Sequence, residues 1–225
     1  YWASKEKRQL MKKLKPYKNS GDFGVFAFGL YNGQTANHPD LNNEFHFVTR
    51  FSYPIVLGNQ IIEPGIQAYS GKFVLPEHSP EVKGNKNFEY IDQRVAASFV
   101  LYPKPFGIQA EYNVGRGPEF NKSTGSIEKK ELQGGYVTFT YFSKKKSPHF
   151  IPFTRLQYYN GGKKHELDAR SYTVKECELG IECHPLDHIE LVTVYVLSDR
   201  RYEDFEHLNN HQKGELVRLQ AQLDF

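Results

Sequence analysis

Polar and apolar residues alternate with a period of two along most of the chain, the spacing of a strand with one oily and one wet face. The pattern is sharpest at the C-terminus. There Val217, Leu219, Ala221, Leu223 and Phe225 interleave with Arg218, Gln220, Gln222 and Asp224 up to the last residue. It recurs over about 23–33, 44–57, 60–74, 89–103, 106–115, 132–143, 149–160, 170–184, 188–199 and 215–225, which predicts ten strands. Several of these segments exceed ten residues. A barrel strand crossing a bilayer needs about 9–11 residues, whereas a strand of a soluble domain has about 5–6.

The connections sort into two kinds that take turns along the chain. LGNQ, YPKPFG, SKKKSPH and HPLDH are short, while the segments 33–43, 75–87, 115–131, 161–170 and 198–215 are long and polar. Greek-key crossings of a β-sandwich would not sort loops in this way. A transmembrane, antiparallel up-and-down β-barrel does, with tight periplasmic turns at one end and long extracellular loops at the other. The fold class expected is therefore all-β, with residues 23–225 forming the strands of an outer-membrane barrel.

Composition supports strands. Hydrophobic residues are 39% of the chain but aromatics reach 15%, with 15 Tyr and 17 Phe, and aromatic side chains suit a pleated surface. No stretch approaches the roughly 20 apolar residues of a spanning helix. A formal net charge of +3, with no aromatic-plus-basic binding motif, gives no footprint for nucleic acid. Cys177 and Cys183 lie six residues apart on one strand, about 20 Å at 3.3 Å per residue, too far for a disulfide. Residues 1–22 differ from the rest in being basic, with Lys5, Lys7, Arg8, Lys12, Lys13, Lys15 and Lys18 against Glu6 and Asp22. Residues 3–14 could form a short helix ended by Pro16. The segment reads either as a solvated connector or as a cationic element folded into or across a pore mouth.

Parity assigns the faces. Phe45, Phe47, Phe51, Ile62, Ile66, Val95, Ala97, Phe99, Leu156, Leu179 and Ile181 are expected to meet lipid. The inward set is polar and of mixed sign: Arg50, Arg94, Arg155 and Arg218 against Glu63, Glu111, Glu176, Glu178, Glu182 and Asp224. Charged rings of one sign set ion preference, and here neither sign wins. IELVTVYVLS is apolar on both parities and leaves its orientation open. Lys175 falls on the lipid side and is expected near a rim. Tyr31, Tyr53, Tyr102, Phe106, Tyr141, Tyr195 and Phe225 sit near strand ends, where aromatic girdles belong.

GVFAFGLYNGQ, FGIQAEYNVGRGPEF, FTRLQYYNGGKKHE, LSDRRYED and the terminal LVRLQAQLDF resemble the phosphate-selective porin O and P family of Gram-negative outer membranes, from about residue 22 to the end. The resemblance implies a larger closed barrel of about 16 strands, of which this chain would supply the C-terminal part; the alternative is that ten strands close alone. It also implies a homotrimer in the bacterial outer membrane that passes small hydrophilic solutes or ions by diffusion. Phosphate selectivity in that family comes from lumenal arginines and a lysine cluster. The basic N-terminal segment, with Lys5, Arg8, Lys12 and Lys13, is the nearest candidate for the cluster, and the acid-rich inner face argues against a strong anion field.

The expected partners are outer-membrane lipid and small solutes, anions among them, with no cofactor and no resident metal. The runner-up readings are a small barrel hydrolase and an adhesin-like binding barrel. The sequence has no nucleophile elbow, no H-E-x-x-H and no P-loop. A hydrolase site would draw on His165, Glu166, Asp168, Glu203, Asp204 and His207 at the extracellular rim.

Overall fold

The structure is a computed structural model that describes residues 5–12, 24–34, 39–142, 149–186 and 188–223. Phe225, Asp224 and Lys13 lie outside the described residues. One helix and eleven strands follow each other: α1 (Lys5–Lys12), β1 (Val25–Tyr31), β2 (His46–Ser52), β3 (Ile55–Leu57), β4 (Gln60–Val74), β5 (Glu89–Leu101), β6 (Phe106–Asn121), β7 (Ser126–Tyr141), β8 (His149–Gly162), β9 (Ser171–Leu186), β10 (Ile189–Glu203) and β11 (Asn210–Leu223). All pair antiparallel with their sequence neighbours in one up-and-down sheet, β3 standing off the path against β4. The sheet is open, with β1 and β11 as its edges.

The expected single strand over 44–57 divides at Tyr53 and Pro54. Proline has no N–H for the ladder, and the pairing of β2 with β4 ends at Ser52↔Gly65. The expected long loop over 115–131 is instead the upper part of a hairpin. β6 and β7 stay paired to Asn121↔Ser126, well past the point where β5 leaves β6 at Gln93↔Arg116. Its tip is closed by Gly125 at φ +63 and by the Glu128 carboxylate, which accepts from Asn121 Nδ2 (2.9 Å), Thr124 Oγ1 (2.7 Å) and Ser126 Oγ (3.0 Å). Likewise β10 and β11 run further than expected and leave only residues 204–209 between them.

Register fixes the faces. Partners opposite each other share a face, so Phe51↔Ile66, Ile66↔Ala97, Ala97↔Tyr112 and Phe99↔Ala110 form rows across one side. That side carries the exposed apolar residues, among them Phe26 at 79%, Phe28 at 62% and Leu219 at 75%. Many more large apolar side chains are exposed than buried, the reverse of a water-soluble fold. Among the described residues no helix is long and apolar enough to cross a membrane; here strands provide the apolar belt.

β10, apolar on both parities, is settled by its partners. Leu191↔Cys183 and Leu197↔Cys177 lie on the outer side, while Val194↔Gly180 and Val196↔Glu178 face inward. Both cysteines are free and sit in the outer rows with Leu179 and Ile181. Lys175 is also outer, opposite Asp199, which pairs in turn with Lys213. Of the expected girdle, Phe106 and Tyr141 pack with tilted rings at the short-turn end, their centroids 5.2 Å apart. Tyr102 departs from it: it is buried on the inner side, its hydroxyl donating to Glu63 at 2.7 Å.

The compact apolar core lies at the long-loop end. Phe73, Leu75, Val82, Tyr90, Phe120, Ile127 and Ala169 gather from the ends of β4, β5, β6 and β7 and from two loops. A smaller cluster at the short-turn end joins Ile61 and Tyr102 with Leu10 of α1. Lys, Glu, Gln, Leu and Met give α1 its helical propensity. Leu10 docks it on inner-face side chains, and Lys7 is buried with Nζ 4.0 Å from the Tyr53 ring centre.

Candidate functional site: a basic constriction on the inner face

The β8–β9 connection, residues 163–170, turns back over the inner face. Lys163 N donates to Arg170 O (2.9 Å) and Glu166 N to Lys163 O (3.0 Å), closing the loop on itself. Asp168 and Ala169 take the left-handed conformation at φ 60 and 48, which costs a non-glycine residue energy and persists only where neighbours impose it. Asp168, fully buried, accepts from Ser79 N (2.6 Å), Ser79 Oγ (2.8 Å) and Phe205 N (3.3 Å). Arg170 Nε lies 2.7 Å from buried Asp204, which also accepts from His207 N at 2.7 Å. Three loops are thereby tied into one knot by two buried carboxylates.

Held in this way, the loop sends Lys164 to the wall. Its Nζ lies 2.6 Å from Asp92 Oδ2 on β5. β5 and β8 are three strand spacings apart, about 14 Å along the sheet, so the contact exists because the loop spans the concave side. Asp92 is fully buried, and a buried charge is tolerated only with close partners. It has three: Lys164, Arg94 Nε at 3.4 Å and the Tyr69 hydroxyl, which donates to it. Lys164 also donates to Tyr69 Oη at 3.3 Å and lies 4.4 Å from the Phe73 ring centre. Burial pulls the Lys164 ammonium below the ordinary lysine range, with the Asp92 charge opposing that shift. On the far side of Tyr69 the His46 ring stacks at 6.0 Å.

Beside this cluster is an open cavity of about 740 Å³ lined by inner-face residues and the loop. Five cations reach it, Arg94, Arg155, Lys163, Lys164 and Arg200, against two carboxylates, Glu166 and Glu176; Asp92 behind the wall makes three. Glu176 is held by Arg200 (2.5 Å) and Ser198 Oγ (2.8 Å), and Glu166 by Lys163 and Arg170, both at 3.3 Å. Arg155 is different. Its guanidinium sits 4.3 Å from the Tyr136 ring centre, and its buried Nε has no hydrogen-bond partner. Among the described residues no carboxylate lies within ion-pair distance of it. A larger depression of about 830 Å³, lined by Phe28, Phe47, Val95 and Val114, opens on the outer face and belongs to the rim rather than the lumen.

The described residues expected to line a pore fall on the inner face, but the structure brings only three of them to this cavity: Arg94, Arg155 and Glu176. Arg50 hydrogen-bonds Gln67 (3.0 Å), which donates to Glu111 at 2.8 Å. Arg218 and Glu178 approach to 3.4 Å near the β11 edge. Glu63 is buried, accepting from Ser52 and Tyr102, and is not among the residues that line the cavity. Balance between the signs therefore gives way, at this cavity, to a cationic excess. Lys5 and Arg8 are exposed on α1, Lys12 closes that helix, and Lys13 lies outside the described residues. Lys163, Lys164, Arg200 and Asp92 were not anticipated. The signal for the first two was the KK pair directly after a strand in GGKKHE; for Asp92 it was inward parity beside Arg94.

An up-and-down antiparallel sheet, greasy on one side and carrying a charged, loop-narrowed hollow on the other, defines the wall of an outer-membrane channel. The family model of phosphate-selective porin O and P matches residues 17–225, and the chain belongs to that family. The family is one of channels rather than enzymes and places the protein in a bacterial outer membrane. No curated protein and no solved structure shows a significant match to the chain.

Proposed function

We propose that this porin favours small anions and that the cavity under the β8–β9 loop is where the preference is set. The observation that carries the reading is Arg155, an inner-face cation with no counter-ion among the described residues, amid a cationic lining. In a concave wall of low dielectric such charges focus their field on the water between them. Phosphate and other oxyanions fit the donors: a guanidinium and ammonium groups give several N–H bonds to an anion's oxygens. Paired Glu176 and Asp92 act as struts that hold cations in place. α1, docked on the inner face by Leu10, narrows the periplasmic mouth and adds positive charge there.

The test is reversal potential in a planar bilayer under a salt gradient, with chloride and then phosphate as the anion. A potential of the sign set by anion flow supports the reading; cation preference, or none, removes it. Of the residues gathered from the hydrolase reading, Glu166, Asp168, Glu203, Asp204 and His207 are engaged in ion pairs or hydrogen bonds, and His165 packs edge-on against Phe73. Glu203 pairs with Lys122 at 2.5 Å, and Asp168 and Asp204 hold backbone N–H groups of the loops. A homotrimer is proposed from the family alone, and light scattering in detergent measures it.

A further inference from the structure

At the opposite, short-turn end, β9 and β10 bring three metal-type donors together. Glu182 and His184 are two residues apart on β9, so they share the inner face. On β10 the register slips between Ile189 and Leu191, a bulge that re-aims the residue within it, and that residue is Glu190. The ligating atoms of Glu182, His184 and Glu190 all lie within 4.8 Å of one another. His184 Nε2 already contacts a Glu182 oxygen.

Electrostatics make this convergence informative. Two carboxylates so close repel, and one imidazole cannot offset both. Among the described residues no Lys or Arg pairs with Glu182 or Glu190. The set carries negative charge and one nitrogen donor, with all three side chains half-buried.

We infer that Glu182, His184 and Glu190 form a binding site for a divalent transition-metal ion at the periplasmic mouth, with zinc the best match. Imidazole with carboxylates is a borderline donor set of the kind zinc, copper and nickel prefer over calcium or magnesium. Ligands about 2.0–2.2 Å from zinc lie at most about 4.4 Å apart. Small side-chain rotations bring the 4.8 Å spread into that range. Three protein ligands leave at least one coordination position for water. On the channel reading, an ion bound there adds two positive charges at the mouth and couples metal level to conduction.

The experiment is Co²⁺ titration of the folded protein in detergent, followed by visible absorbance, with Zn²⁺ competing. Saturable Co²⁺ bands displaced by Zn²⁺ are expected, with affinity lowered about tenfold or more in His184→Ala and in Glu190→Gln. Absence of saturable bands, or equal affinity in both variants and the parent, overturns the inference. Circular dichroism checks that each variant is folded. Single-channel recording with Zn²⁺ on the periplasmic side then reads the coupling. This site rests on the channel reading only for that last step: metal binding without conduction would sink the channel and leave the site standing.

Discussion

Replacing Arg155 by Gln tests the anion preference at its most exposed point. The change removes one positive charge that no carboxylate balances, while keeping a polar side chain of similar length under Tyr136. A unit charge about 5 Å from a passing ion contributes about 0.8 kcal/mol where water sets the dielectric. At 298 K that is about fourfold in the partition of an anion, and about fourfold in the opposite direction for a cation. The anion-to-cation permeability ratio should thus fall by about one order of magnitude at low salt. At 1 M salt, where the screening length is about 3 Å, the same change should shrink to less than about twofold. The assay is reversal potential in a planar bilayer at two ionic strengths. Arg50→Gln serves as control: the same charge is removed, but Arg50 is exposed, bonds Gln67 and lies outside the cavity, so its shift should be smaller. A ratio unchanged in Arg155→Gln, or moved equally by Arg50→Gln, refutes the assignment of preference to this cavity.

Further outcomes follow from the same geometry. Phe99→Arg, in the outer row of β5, should cost about 2–4 kcal/mol of stability in lipid vesicles, measured by denaturant titration. Lys164 has a proton affinity lowered by burial, so it loses charge at a lower pH than exposed lysines; anion preference should fall in alkaline buffer, and Lys164→Met should flatten that part of the pH profile. With the folded value below the unfolded one, the unfolded chain binds more protons in the window between them, so this group makes folding more favourable as pH rises there. Leu10→Asp should undock α1 from Ile61 and Tyr102 and raise single-channel conductance, with the strands' circular dichroism unchanged.

Strand identity and facing were legible because each residue's side follows from local period alone. Phe99 and Arg94 needed no knowledge of their neighbours. β10 did: Val192, Val194 and Val196 are apolar yet inward, and only the register with Glu178 and Glu182 reveals it. Loop lengths misled where hairpins outgrow the sheet, since Phe120 and Ile127 are buried by other loops rather than by a pleated layer. Charge balance misled for a related reason. Counting Glu63 and Glu111 beside the arginines ignores where each acid sits: neither lines the cavity on which Arg94, Arg155, Lys163, Lys164 and Arg200 converge. Lys164 gains its role from a contact with Asp92 that is 72 residues distant in sequence, which no local pattern encodes.

The claim under all of this is that neighbouring residues on one strand meet different solvents, and β9 offers the sharpest measurement. In lipid vesicles, the rate at which a charged, water-soluble thiol reagent modifies native Cys177 is compared with that of a Glu178→Cys variant in which Cys177 and Cys183 are replaced by Ala. The account predicts that Cys177 resists the reagent while the introduced thiol at 178, one step along the same strand, reacts readily. Equal rates, or faster reaction at Cys177, would contradict it.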